Sequence, residues 1–155
     1  MYASKLNLIE TERALKEIKH TFELELSQAL NLTRISAPLF VSKNSGLNDD
    51  LNGVERAVSF DIKATGETAE VVHSLAKWKR YALAKYRFGA YFGLYTDMNA
   101  IRRDEDLDNL HSVYVDQWDW EAVILREDRT RDYLKNTVKK IYAALKATAR
   151  RLCRE

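Results

Sequence analysis

The run HSVYVDQWDWE, residues 111–121, sets acids and an amide between aromatic residues. Val113, Tyr114, Val115, Trp118 and Trp120 favour a strand, and neither Gly nor Pro interrupts them. Side chains of a strand alternate between two faces. One face then carries His111, Val113, Val115, Gln117, Asp119 and Glu121; the other carries Ser112, Tyr114, Asp116, Trp118 and Trp120. The aromatic face, with Tyr114, Trp118 and Trp120, reads as the core side. On the opposite face Gln117, Asp119 and Glu121 line up, and carboxylates so placed repel unless a cation or a hydrogen-bond donor lies between them. Two readings stay open for that row: the solvated face of an edge strand, or the floor of a ligand site.

Cations gather elsewhere. HSLAKWKRYALAKYRF, residues 73–88, reads as a helix capped by Ser74, with Leu75, Trp78, Ala82 and Leu83 as its buried stripe. Lys77, Lys79 and Arg80 crowd its first turns, the end that the helix dipole makes unfavourable for cations. That placement points either to a nearby anion or to a solvated lysine face. RRDEDLDNL, residues 102–110, is a charged hairpin loop that leads into the opening strand.

The remaining elements follow from periodicity and breakers. Residues 11–30 place Leu15, Ile18, Phe22, Leu26 and Leu30 at helical spacing, with Thr11 as the expected N-cap and His20 among the polar positions. TRISAPLF, residues 33–40, is strand-like, and Pro38 confines it to an edge, a strand end or the side of another chain. SKNSGLNDDLNG, residues 42–53, is a polar loop. Residues 57–64 alternate as a strand, and AEVV forms a short one after the TGET turn. Residues 89–101 read as a strand with Gly93 at a bulge or close approach, and residues 130–154 as a helix with Leu134, Val138, Ile141, Leu145 and Leu152 on one stripe. Hairpins separated by helices predict an α+β fold with an antiparallel sheet.

Composition narrows the function. At 155 residues one domain with a real core is expected. A net charge of +2 argues against bulk electrostatic binding of nucleic acid, and no run is long and apolar enough to span a membrane. The single cysteine, Cys153, fits a reducing cytoplasm. The three histidines, His20, His73 and His111, are widely spaced, which speaks against a zinc site. Five glycines form neither GxGxxG nor a P-loop, so a bound nucleotide would need charged side chains to hold its phosphates.

EVVHSLAKWKR (70–80), GLYTDMNAIRRDEDLDNLHSVYVDQWDWE (93–121) and DDLNGVERAV (49–58) resemble the ammonia-dependent asparagine synthetases, or aspartate–ammonia ligases, over essentially the whole chain. The resemblance implies a partial catalytic domain of the class II aminoacyl-tRNA synthetase type. Helix 11–30 with the Pro38 strand is similar to the dimer-forming first motif of that class, and residues 93–121 to the second, which holds ATP and the amino acid. The likeness covers the N-terminal half of the family. In longer members the C-terminal half supplies further strands, acidic residues for magnesium and an arginine that grips ATP.

The implied reaction forms L-asparagine from L-aspartate and ammonia through β-aspartyl-AMP, with ATP and Mg2+ as cofactors. A cytoplasmic homodimer is implied as well. By the same resemblance Arg102 meets the α-phosphate, with Arg103 its competitor in the arginine–DED pattern. Ser74 and Lys79, five residues apart, grip aspartate, and Lys77 is the fallback. Gln117 and Asp119 hold the α-ammonium or the incoming ammonia. Asp49 closes over the substrate, and Glu121 is structural or near magnesium. His73 and His111 are expected to bond to backbone. The competing expectation is a non-catalytic relative that binds aspartate or dimerises; a tRNA-charging enzyme would need an anticodon-binding domain that has no room.

Overall fold

The computed structural model describes residues 4–49 and 51–153. The order is α1 (Leu8–Leu30), β1 (Leu32–Arg34), β2 (Phe40–Ser42), β3 (Ser59–Ile62), β4 (Glu67–Val71), α2 (Ala76–Lys85), β5 (Gly93–Ile101), β6 (Tyr114–Ala122) and α3 (Arg131–Leu152), with short 3-10 turns at Lys43–Ser45 and Arg126–Asp128. The chain packs as two compact units: Thr33–Val123, and the stretches that flank it. The expected α+β class holds, with two three-stranded sheets in place of one.

In the flanking unit α1 packs on α3. The cap of α1 is Asn7 rather than Thr11. Asn7 accepts the Glu10 amide at 2.9 Å, and the Glu10 carboxylate takes the Asn7 N–H at 2.9 Å. This reciprocal box satisfies two donors that the first turn leaves free. Thr11 lies inside the helix and donates its hydroxyl to the Asn7 carbonyl at 2.8 Å. Leu26 and Leu30 are the buried end of the helix. Helix α3 starts at the cap Thr130, and its expected stripe is covered only in part, at half-buried Ile141 and Leu152. Ala144 and Thr148 are buried, while Leu134, Val138 and Leu145 are exposed. Small side chains one turn apart let two helix backbones approach closely, and the larger leucines fall to the side.

In unit Thr33–Val123, Pro38 splits the expected 33–40 strand, and its halves join different sheets, β1–β5–β6 and β2–β4–β3. A missing N–H and a fixed φ end strand pairing there. β5 and β6 pair antiparallel, with Leu94 opposite Glu121, Thr96 opposite Asp119, Met98 opposite Gln117 and Ala100 opposite Val115. Opposed residues share a face. Leu94, Met98 and Ala100 belong to the buried core with Leu75, Trp78, Ala82 and Leu83. The row Gln117–Asp119–Glu121 therefore lies on the α2 side of the sheet, and the aromatic face is not the core side. Tyr114 is 57% exposed, and Trp118 and Trp120 are half-buried. Polar tips account for this: the Trp118 indole donates to Asp97 at 3.0 Å, and the Tyr114 hydroxyl donates to Asn99. Gly93 is a close approach, because a Cβ there would lie 2.8 Å from the Ala122 Cα.

Candidate active site

Lys79 projects from the first turns of α2 onto the acidic row of β6. Its residue is 4% exposed. The ammonium bonds to the Asp119 carboxylate, donates to the Trp120 carbonyl at 3.1 Å and lies 3.7 Å from Glu121. Two of its donors thus meet acceptors, and a second carboxylate lies within ion-pair distance. A buried ammonium persists only when paired in this way. Arg80 approaches the other Glu121 oxygen at 3.8 Å. The anion that the misplaced cations of α2 called for is the chain's own: β6 supplies it, and the lysine in turn separates two carboxylates that would repel. Gln117 lies on the same strand face and is exposed.

Ser74 stands one residue before the helix cap, which is Leu75 and uses no side chain. Its hydroxyl still accepts the Ala76 N–H at 3.2 Å. Lys77 points elsewhere and donates to the Asn48 carbonyl at 3.1 Å. Asn48 also gathers its neighbours through its side chain, accepting the Asp49 and His73 amides. Asp49 is half-buried beside it. Asn48 escaped the sequence reading, since an asparagine in a run of Asn, Asp and Ser looks like any loop residue.

The hairpin loop between β5 and β6 carries the two arginines. The Arg102 amide donates to the Val113 carbonyl at 2.8 Å, and its guanidinium lies 3.8 Å from Glu105. Its Nε is buried and has no hydrogen-bond partner among the described residues. Arg103 is exposed. Among the described residues neither arginine bonds to Lys79, Asp119, Ser74 or Asp49. Asp104 instead receives the Arg56 amide at 2.8 Å and its guanidinium. Those bonds hold the Asp104 carboxyl well below the usual carboxylate range and push the Arg56 guanidinium up. Arg56 was also missed, because its partner lies 48 residues away. At the loop's far end, the Leu110 amide and then the His111 ring and amide lower the Asp108 carboxyl. The His111 ring therefore meets a carboxylate, at 2.9 Å, rather than backbone. His73 is 2% exposed, and its Nε2 has no partner among the described residues.

Sequence comparison is decisive for the family. The profile described as aspartate-ammonia ligase matches residues 9–155. The chain belongs to the aspartate–ammonia ligase family. An aspartate–ammonia ligase from Clostridium perfringens (strain 13 / Type A) is 65% identical over 148 residues, which make up 95% of this chain and 44% of that relative. One from Limosilactobacillus fermentum is 60% identical over 146 residues, 94% of this chain and 44% of the relative. The chain spans less than half the length of these curated relatives. By fold it is similar to a Bacillus halodurans structure described as an ATP phosphoribosyltransferase regulatory subunit/histidyl-tRNA synthetase, with TM-score 0.68 and 16% identity, covering 94% of this chain and 36% of the other. It is also similar to a pyrrolysyl-tRNA synthetase from Desulfitobacterium hafniense, with TM-score 0.54 and 13% identity, covering 89% and 51%. The class II synthetase-like fold expected for this family is the one observed.

Proposed function

We propose that this chain carries the aspartate-binding part of an ATP-dependent ligase that forms L-asparagine from L-aspartate and ammonia. The observation that carries the reading is the buried Lys79–Asp119 pair beside Gln117 and Glu121. Aspartate is itself a pair of opposite charges. On binding, its side-chain carboxylate takes the Lys79 ammonium, its α-ammonium takes Asp119 and the Gln117 amide, and the internal pair is exchanged for two intermolecular ones. The Lys79 ammonium is already held out of water in the fold, and the Asp119 carboxylate is partly covered.

Activation brings the substrate carboxylate against the α-phosphate of ATP. A carboxylate oxygen bonds to phosphorus, pyrophosphate leaves, and β-aspartyl-AMP results. Two anions meet there, so fixed cations are the main requirement. With no glycine cradle the arginines of the hairpin supply them, and a planar guanidinium suits phosphate. Arg102 fits that role by its buried Nε, which has no partner among the described residues and which a phosphate oxygen would satisfy; exposed Arg103 is the second cation. The incoming ammonium, drawn to the acidic row beside the bound aspartate, gives up a proton to a neighbouring carboxylate, the ammonia nitrogen bonds to the activated carbon, a second proton passes to solvent, and AMP leaves. Asp49 closes over the bound amino acid, and Ser74 orients its carboxylate. Among the described residues no group of three or more His, Cys, Asp or Glu is placed to hold a metal ion, so no step is assigned to Mg2+ here.

A cytoplasmic, isologous dimer through α1 belongs to the same reading, and the exposed Leu8, Ile9, Leu15 and Leu24 of that helix support it. Among the described residues no helix is long and apolar enough to cross a membrane.

The test mixes the chain with aspartate, ammonium, ATP and Mg2+ and follows pyrophosphate. Release that depends on aspartate and is abolished by Lys79→Ala or Arg102→Ala is expected. Aspartate binding without pyrophosphate would assign the chain a binding role in place of catalysis.

A further inference from the structure

Among the described residues of its loop, Asn48 ties together the most of unit Thr33–Val123. Its Oδ1 accepts the Asp49 amide at 3.1 Å and the His73 amide at 2.9 Å. Its Nδ2 donates to the Glu70 carboxylate at 3.2 Å and to the Val71 carbonyl at 3.4 Å. Its own carbonyl accepts the Lys77 ammonium at 3.1 Å. A carboxamide has two donor hydrogens and two acceptor lone pairs, and all four are used here. No other side chain of this size does the same. An aspartate would lose both donors and press a second carboxylate on Glu70; a leucine would strand two amides, a carboxylate and a carbonyl.

One consequence concerns place. The Asp49 and His73 amides share a single oxygen, and His73 immediately precedes Ser74 and the start of α2. The polar loop is thereby pinned to the joint between β4 and α2, from which Ser74, Lys77 and Lys79 arise. We propose that Asn48 is a positioning residue: with Lys77 it forms a clasp that fixes Asp49 relative to the aspartate-binding groups of α2. Lys77 then serves the loop, and Lys79 alone is left for the substrate. This inference rests on the functional reading above.

The experiment uses the full chain and reads amide hydrogen exchange by NMR beside aspartate binding by calorimetry. In Asn48→Ala the Asp49 and His73 amides lose their acceptor, and their exchange should rise about tenfold or more, while the Lys79 amide inside α2 keeps its protection. Aspartate affinity should fall about tenfold. Asn48→Asp, which loses both donors and sets a second carboxylate against Glu70, should weaken binding further. Lys77→Met, at an exposed position, should raise exchange at Asp49 a few fold, and it carries the test if the Asn48 variants do not fold. Unchanged exchange at Asp49 and His73 overturns the clasp. Raised exchange with unchanged affinity overturns its positioning role. If the wild type binds no aspartate, the ligase reading fails on its own, and exchange at the two amides still decides the clasp.

Discussion

Removing one half of the Lys79–Asp119 pair should separate stability from function. Asp119→Ala leaves an ammonium that is 4% exposed without its closest carboxylate. Breaking a fully buried pair costs about 3–5 kcal/mol. Two features reduce that figure. The Asp119 side chain is itself 20% exposed, and Glu121 remains 3.7 Å from the ammonium. At an effective dielectric constant of about 20, opposite charges about 4 Å apart attract by about 4 kcal/mol, so the second acid recovers part of the loss. The expected destabilisation is about 2–3 kcal/mol, or a urea midpoint lower by about 1 M. All three tryptophans, Trp78, Trp118 and Trp120, lie within Thr33–Val123, so their fluorescence follows the unfolding of this unit. Lys79→Met with Asp119→Leu should restore the stability to within about 1 kcal/mol, since apolar groups of similar size replace buried pairs with little loss. That double variant should bind no aspartate. A single variant as stable as wild type, or a double variant that binds aspartate normally, would refute the reasoning.

Gly93→Ala should lower the stability of the same unit by about 1–3 kcal/mol in the same urea assay, because its Cβ would press on the Ala122 Cα of the paired strand; an unchanged midpoint contradicts that close approach. Asn7→Ala should cost α1 about 1 kcal/mol, read as faster exchange at the Glu10 amide, whose acceptor it removes. The bonds from Arg56 depress the Asp104 carboxyl. A depressed acid stabilises the fold above its unfolded pKa of about 3.9, and that contribution fades as pH falls through its folded value. The Arg56–Asp104 link should therefore survive at pH 4 and be lost only in stronger acid; a carboxyl NMR titration with an Asp104 midpoint near 4 would contradict this.

Helix and strand periods were legible in the sequence because each rests on local sequence spacing. The α1, α2 and α3 helices and the β5–β6 hairpin fall close to where spacing puts them. Faces were harder. Tyr114, Trp118 and Trp120 suggested burial by bulk, yet Leu94, Met98 and Ala100 on the neighbouring strand decide which side is covered. The cluster Lys77, Lys79 and Arg80 was legible as an anomaly because it stands at the wrong end of a helix dipole, though only the family resemblance singled out Lys79 among the three. Asn48 and Arg56 carried no such mark. Their partners, Glu70 and His73 in one case and Asp104 in the other, lie 22 to 48 residues away, and no period in a single sequence records such contacts.

Chemical-shift mapping of L-aspartate binding tests the central claim most directly. Titrated into the labelled chain, aspartate should shift the amides of Ser74, Lys79, Gln117 and Asp119 together, with one common dissociation constant. Shifts confined to α1 and α3, or none at saturating aspartate, would contradict the placement of the substrate on the α2–β6 face.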